Sequence, residues 1–590
     1  MKRTILFLTA VFCLCMTNKT MAYSFSAVNN GQTIYYNITS STAPLTVAVT
    51  YYDLIDIDNN YSGDVVIPST VTYNSNTYSV TSIGYRAFTY CIDLTSVTIP
   101  NSVTSIEEYA FTSCYNLTSI TIPDLVTTIG NYAFSACYRL TSITIPNLVS
   151  TIGNHAFEDC SYLTSISIPN SVTTIGNWVF SGCVHLTFVT IPILVTSIED
   201  GAFSACSRLI SVTIPNSVTS IGENAFSNCS GLTSVTIPDS VTTIGKSAFH
   251  NCSSLTSITI PSQVTSIGDG AFAGCSGLTS ISVNISNTAY YSISGVLFNK
   301  DQTILVCFPA GKTGSYTIPN SVITIRNSAF YGCIGLISVT IPNSVTTIGN
   351  SVFSFCSGLT SVSFPNLVTI IGISIFFACN GLTEIYVKAV NPPPISEYTF
   401  LDVSTTIPIY VPCGEKTTYQ NATYWSDFTN IIDNILFGVT VQSNDTTMGT
   451  AYITQANTCA NNMAIIEATA NAGYRFVQWN DGDTSNPRTI TITQDISYTA
   501  IFDIANAITD IDISTISIYP NPVMNNINIT LPENVYQAVF TLYDMQGKVL
   551  ICREVSSQET VSVGELAAGI YIYNVITDKQ KHVGKLRIKD

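Results

Sequence analysis

Leu117–Cys137 reads LTSITIPDLVTTIGNYAFSAC, and both its patterning and its recurrence bear on the fold. Ile120 and Ile122 alternate with Ser119 and Thr121, a period of two that makes a strand with one buried face, closed by Pro123. Val126 to Ile129 form a second short extended run that stops at Gly130. Ala133, Phe134 and Cys137 lie at helical spacing, which predicts one or two helical turns. The unit then returns: Cys91, Cys114, Cys137, Cys160, Cys183, Cys206, Cys229, Cys252 and Cys275 are each 23 residues apart, and Cys333, Cys356 and Cys379 resume the step. Every one has a Phe three residues before it and a Leu three after. A single unit buries too little apolar surface to offset the entropy of ordering its backbone, so units must stack and share a core and hydrogen-bond ladders. The expected fold over residues 68–390 is a repeat solenoid of 23-residue coils, with parallel β strands plus short helices.

Composition agrees. The 590 residues are 46% hydrophobic and 10% charged, which excludes a disordered, collagen-like or coiled-coil chain. The formal charge of −16 argues against a nucleic-acid partner, since phosphate binding needs a concentrated basic face. Residues 1–22 read as a secretory signal peptide: Lys2 and Arg3, an apolar run from Ile5 to Met16, then Thr20, Met21 and Ala22. Leu14 precedes Cys15 where a lipid-attachment site would have a small residue. No later stretch offers the roughly eighteen uncharged apolar residues of a membrane span.

Departures from the period mark insertions and ends. Pro68 stands 23 residues before Cys91 where other units have 14, so nine residues near TYNSNTYSV are inserted in the first coil. Residues 23–67 read as a β-rich cap. Residues 284–318 lack the AFxxC segment and show two strands, Gly295 to Phe298 and Thr303 to Phe308, which predict a hairpin protruding from the solenoid. Residues 391–435 break the unit again and predict a second cap with a short helix near Trp425, followed by two small all-β domains at 436–504 and 513–590.

The repeated AFxxCxxLTSVTIPxSVTSIG resembles the leucine-rich repeat in its BspA-like variant, which implies a surface protein associated with adhesion. ATANAGYRFVQWNDG, with Gly473, Tyr474, Phe476 and Trp479, resembles the divergent B-repeat of bacterial surface proteins. From residue 513, the opening Tyr519 to Pro522, the turn at Asp544 and Gly547, and Leu566, Gly569 and Tyr571 resemble the type A C-terminal sorting domain of type IX secretion. That resemblance implies export to the outer-membrane surface of a Gram-negative bacterium of the Bacteroidetes, with the secretion machinery as one partner.

Catalytic and cofactor motifs are lacking. The four histidines, His155, His185, His250 and His582, form no zinc-type pair, and there is neither a Gly-x-Ser-x-Gly elbow nor a Cys-x-x-Cys. Gly245-Lys246-Ser247 and Gly311-Lys312-Thr313 lack the first glycine of a phosphate loop. Asp53, Asp56, Asp58 and Asp64 gather with Asn59 and Asn60, but Tyr61 stands at the sharp-turn position and Ile67 at the bidentate acid of a calcium loop, so an acidic surface loop is expected. No cofactor, metal or enzymatic activity is expected. Stacked column cysteines would have parallel β-carbons about 4.8 Å apart, outside the usual disulfide range, which favours buried thiols. The pairing of Cys307, Cys413, Cys459 and Cys552 is open.

Two surfaces are candidates for a partner. Ser96, Thr98, Ser119, Thr121, Ser142 and Thr144 make a uniform hydroxyl face, which strand solvation accounts for. Five residues before the cysteines stand Arg86, Tyr109, Tyr132, His155 and Trp178, giving way to Gly201, Asn224 and Ser247; Tyr115, Tyr138, Tyr162 and His185 follow the cysteines of the same coils. Such rings are interface anchors and can stack on sugars, or they cover the ridge by packing on one another. Host or microbial surface proteins are the expected partners of a non-catalytic adhesin; glycans held on the aromatic ridge are the alternative.

Overall fold

Each 23-residue unit makes one coil of two strand segments and a segment of turns. A computed structural model describes residues 23–52, 61–505, 516–532, 535–577 and 581–589. Residues 1–22, expected to be a signal peptide, and the acids Asp53, Asp56 and Asp58 lie outside the described residues. On one side of the coils, Ser119, Ser142 and Ser165 pair in parallel, one coil to the next. On another, Ser105–Ile106, Thr128–Ile129, Thr151–Ile152 and Thr174–Ile175 do the same. Because the register shift is one whole unit, Ile106, Ile129, Ile152 and Ile175 fall in one column, and all are buried. Phe88 to Phe272 form a ladder of nine stacked rings with centroids 4.9 to 5.7 Å apart.

The third side is not helical. Gly130 O accepts from Ala133 N and Tyr132 O from Ser135 N, each a three-residue turn. The alternate donors leave the coil: Tyr132 N, Phe134 N and Ala136 N reach Asn154 O, Ala156 O and Glu158 O of the next coil at 2.7–2.8 Å. An α-helix would keep these donors within the coil and is roughly 10 Å thick, twice the spacing that the strand ladders impose. Successive turns match that spacing, and so replace the expected helices. They require left-handed backbone at two positions per coil, such as Tyr132 (φ 55°) and Ala136 (φ 57°).

The segment at 284–318 does not protrude. Tyr290–Ile293, Val296–Asn299 and Ile304–Cys307 form an antiparallel meander whose last strand pairs in parallel with Thr324–Ile325. Val296, Leu297, Phe298 and Leu305 are fully buried. A projecting hairpin would have left one apolar face in water. Instead Leu297 packs with the preceding coils, while Val296, Phe298, Leu305 and Phe308 pack with the following ones. Phe308 restarts the ring ladder 4.9 Å from Phe330.

At the first end Phe25–Asn29, Gln32–Ser40 and Thr46–Thr50 pair antiparallel, and the last joins Asn76–Ile83 in parallel, which leads into the coils. The nine inserted residues lie in the hairpin of Thr70–Tyr73 with Asn76–Ile83. At the other end Ile409–Pro412 and Ile431–Ile435 extend the ladder, with a helix at Lys416–Gln420 and a 3-10 turn at Trp425–Asp427. Trp425 is buried, its Nε1 donating to Pro393 O at 2.9 Å.

The chain divides into two compact units. The first holds the described residues up to Gly438 with Asn457–Asn462 and Ile492–Asp495, and contains a Cys413–Cys459 disulfide. The second holds Val439–Ala456, Met463–Thr491 and the described residues from Ile496. Its β-sheets include Gly449–Gln455, Met463–Ala470 and Arg488–Thr491, and then Val549–Ser556, Gln537–Tyr543, Gly569–Ile576 and Lys581–Ile588.

Candidate binding surface

The row five residues before each cysteine occupies the first left-handed position of the turn side. In the later coils it carries Gly201, Asn224, Ser247, Gly270, Ser328, Ser351 and Ser374, all small, with the glycines and the asparagine suited to positive φ. In the first five full coils it carries Arg86 (58°), Tyr109 (59°), Tyr132 (55°), His155 (56°) and Trp178 (55°). Bulky side chains at such a φ cost on the order of 1–3 kcal/mol each.

Stacking offsets part of that. The Arg86 guanidinium lies 5.2 Å from the Tyr85 ring centroid and 5.1 Å from that of Tyr109. Tyr109 stacks on Tyr132 at 4.8 Å and Tyr132 on His155 at 4.4 Å, both nearly parallel. Both faces of Tyr132 are therefore taken. Burial, then Tyr109, Glu158 and Glu108, raises its phenol above the ordinary tyrosine value, so it stays a neutral donor. His155 Nδ1 meets Glu158 Oε2 at 3.0 Å. Trp178 breaks the run by leaning the other way: its indole covers Gly201, where a β-carbon would fall about 2.2 Å from the ring.

That lean opens a groove of about 260 Å³ lined by Tyr132, His155, Trp178, Asn131, Asn154, Asn177 and Asp200. Asn131 Oδ1 accepts from Asn154 N and Asn154 Oδ1 from Asn177 N, both at 2.8 Å. Asn177 Oδ1 accepts from Asp200 N at 3.1 Å, and Asp200 Oδ1 from Glu223 N at 2.7 Å. With their oxygens engaged, the three asparagines are left with amino groups to offer the groove. The sequence carries this column as Asn-Tyr, Asn-His and Asn-Trp pairs at 23-residue intervals, a signal in the sequence for the asparagines as well as the rings.

Tyr115, Tyr138 and Tyr162 do not line the groove. They form two separate pairs, Tyr115 with Tyr138 at 5.1 Å and Tyr162 with His185 at 5.0 Å, because Tyr162 and His185 sit one residue later in their coils. Asp64 accepts hydrogen bonds from Ser96 and Thr95 at 2.6 and 2.8 Å, which hold its carboxyl below the usual range. Among the described residues no group of three or more His, Cys, Asp or Glu is arranged to hold a metal, and no helix is long and apolar enough to cross a membrane.

A stack of 23-residue coils with strand ladders on two sides is a leucine-rich repeat solenoid, here joined to small all-β domains. Residues 81–210, 196–304 and 306–431 match the family described as BspA type leucine rich repeat region, more than half of the chain. The protein belongs to that family. Residues 517–589 match the secretion system C-terminal sorting domain and 439–506 the divergent InlB B-repeat domain. Among solved structures, a leucine-rich repeat protein from Bacteroides ovatus is 30% identical over 62% of this chain and 94% of its own, with a TM-score of 0.45. A leucine rich cell surface protein from Faecalibacterium prausnitzii is 28% identical over 70% of this chain and 99% of its own, also with a TM-score of 0.45. No curated protein matches the chain. With its sorting tail, the protein is a repeat protein displayed on the cell surface through type IX secretion.

Proposed function

We propose that this surface protein is a non-catalytic adhesin whose solenoid binds macromolecules of host matrix or of other cells through the ridge Arg86, Tyr109, Tyr132, His155 and Trp178. The observation that carries this is the choice of residue at a left-handed position. Later coils place Gly, Asn or Ser there, whereas five adjacent coils place large rings and an arginine. The turns need positive φ in every coil but not a large side chain there, and bulky residues kept in strained backbone at a surface are characteristic of functional sites. Tyr115, Tyr138 and Tyr162 add exposed rings to the same coils, and His185 a half-buried one.

The experiment measures attachment of the full mature chain to immobilised matrix proteins, to cells and to a glycan array. Replacing Tyr109, Tyr132 and Trp178 together by Ser should abolish attachment while circular dichroism stays the same. Unchanged attachment would overturn the proposal. A second reading, capture of glycans, is favoured by the row of asparagine amino groups beside the rings.

A further inference from the structure

We infer that the groove between His155 and Trp178 holds one neutral pyranose ring of a glycan. This deepens the ridge reading and rests on it, for it names what the ridge would recognise. A volume of about 260 Å³ lies just below the roughly 300–1,000 Å³ of sites for drug-sized ligands, which suits a single sugar unit.

The lining matches that ligand on each count. Trp178 supplies an aromatic surface for the C–H face of a sugar, and its seat on Gly201 fixes it in place, since any side chain there would displace it. Asn131, Asn154 and Asn177 supply hydrogen-bond donors one coil apart. Asp200 keeps its Oδ2 to accept hydroxyl donors, because Glu223 N occupies only Oδ1. Hydroxyl groups, both donors and acceptors, satisfy this mixture.

Charge narrows the class. No Lys or Arg lines the groove, Asp200 does, and Glu158 sits beside His155. A sialylated or sulfated sugar would meet repulsion with no Lys or Arg to relieve it, and the one histidine there already faces Glu158. A cationic side chain would meet Asp200 but also three amide donors facing it, which fit it poorly.

The test presents the full mature chain to an array of neutral, sialylated and sulfated glycans, with a soluble arginine-rich hexapeptide as competitor. Neutral glycans should bind, and Trp178→Ala and Asp200→Asn should each weaken that binding about tenfold or more. Asp200→Asn retains an oxygen for Glu223 N, so its fold is safe if removing the indole disturbs the coil. Preference for acidic glycans, displacement by the peptide, insensitivity to both variants, or no glycan binding at all would overturn the inference. Tyr109→Ser, outside the groove, separates the two levels. If it impairs attachment to matrix or cells while the groove variants change nothing, the sugar site falls and the ridge stands. If no ridge variant affects any attachment, both fall.

Discussion

The glycine that ends Val126 to Ile129 illustrates how one residue answers to the whole stack. Its sequence position suggests a turn, yet at Gly130, Gly153, Gly176 and Gly245 a β-carbon would fall about 2.4–2.6 Å from the preceding coil's backbone. What is needed is close approach between coils. Glu107, Glu199 and Arg326 hold the equivalent position elsewhere, so a coil can shift to admit a side chain. Gly153→Ala should therefore fold but lose about 1–3 kcal/mol, the usual range for overpacking, read from the midpoint of urea unfolding. No loss would mean that the coils are not in close contact there. The left-handed row is the opposite case: the amino-acid types are plain in the sequence, but their φ is set only by the turns they join.

At the scale of elements, the cysteine column is a ladder of its own. Cys137 Sγ donates to Phe111 O, Cys160 Sγ to Phe134 O and Cys183 Sγ to Phe157 O, each at 3.2 Å. Every described column cysteine is free and buried, as parallel β-carbons led us to expect. Burial raises the thiols of Cys114, Cys160, Cys183, Cys206, Cys229, Cys333 and Cys379, that of Cys229 to about 12, so these offer no thiolate near neutral pH. Alkylation of the native protein at pH 8 should label Cys552, the exposed free cysteine among the described residues, and spare the column. In denaturant without reductant, 14 thiols should react in a chain that lacks residues 1–22 and so Cys13 and Cys15, with Cys413 and Cys459 protected. A count well below that would mean bridged columns. The helical expectation failed at this same scale: the spacing of Ala133, Phe134 and Cys137 fits a helix, but the N–H groups of Tyr132, Phe134 and Ala136 bond across coils.

For the molecule as a whole, stacking predicts that length is negotiable and phase is not. Deleting Thr141–Leu163, one period, brings Leu140 to Thr164 in the same register. The shortened chain should keep the far-ultraviolet circular dichroism per residue and unfold cooperatively. Deleting only residues 141–152 puts inward columns on the outside and should abolish the fold. Equal behaviour of the two would refute the solenoid account. The meander at 284–318 departs from the period without harm because its two apolar faces meet the cores on either side of it.

The sequence by itself determined the period and the columns that point inward, since a 23-residue recurrence of Phe, Cys and Leu leaves stacking as the one way to bury them; its likeness to the repeat and sorting-domain families added the class of protein and its route to the surface. Tertiary structure alone decided the third side of the coil, the inward place of the meander and the groove beside Trp178. Each depends on hydrogen bonds or packing between coils: donors that reach Asn154 and Ala156, apolar faces shared by two cores, and an indole resting on a glycine of the next coil. Local patterning encodes what a residue does within its own unit, and these features exist only between units.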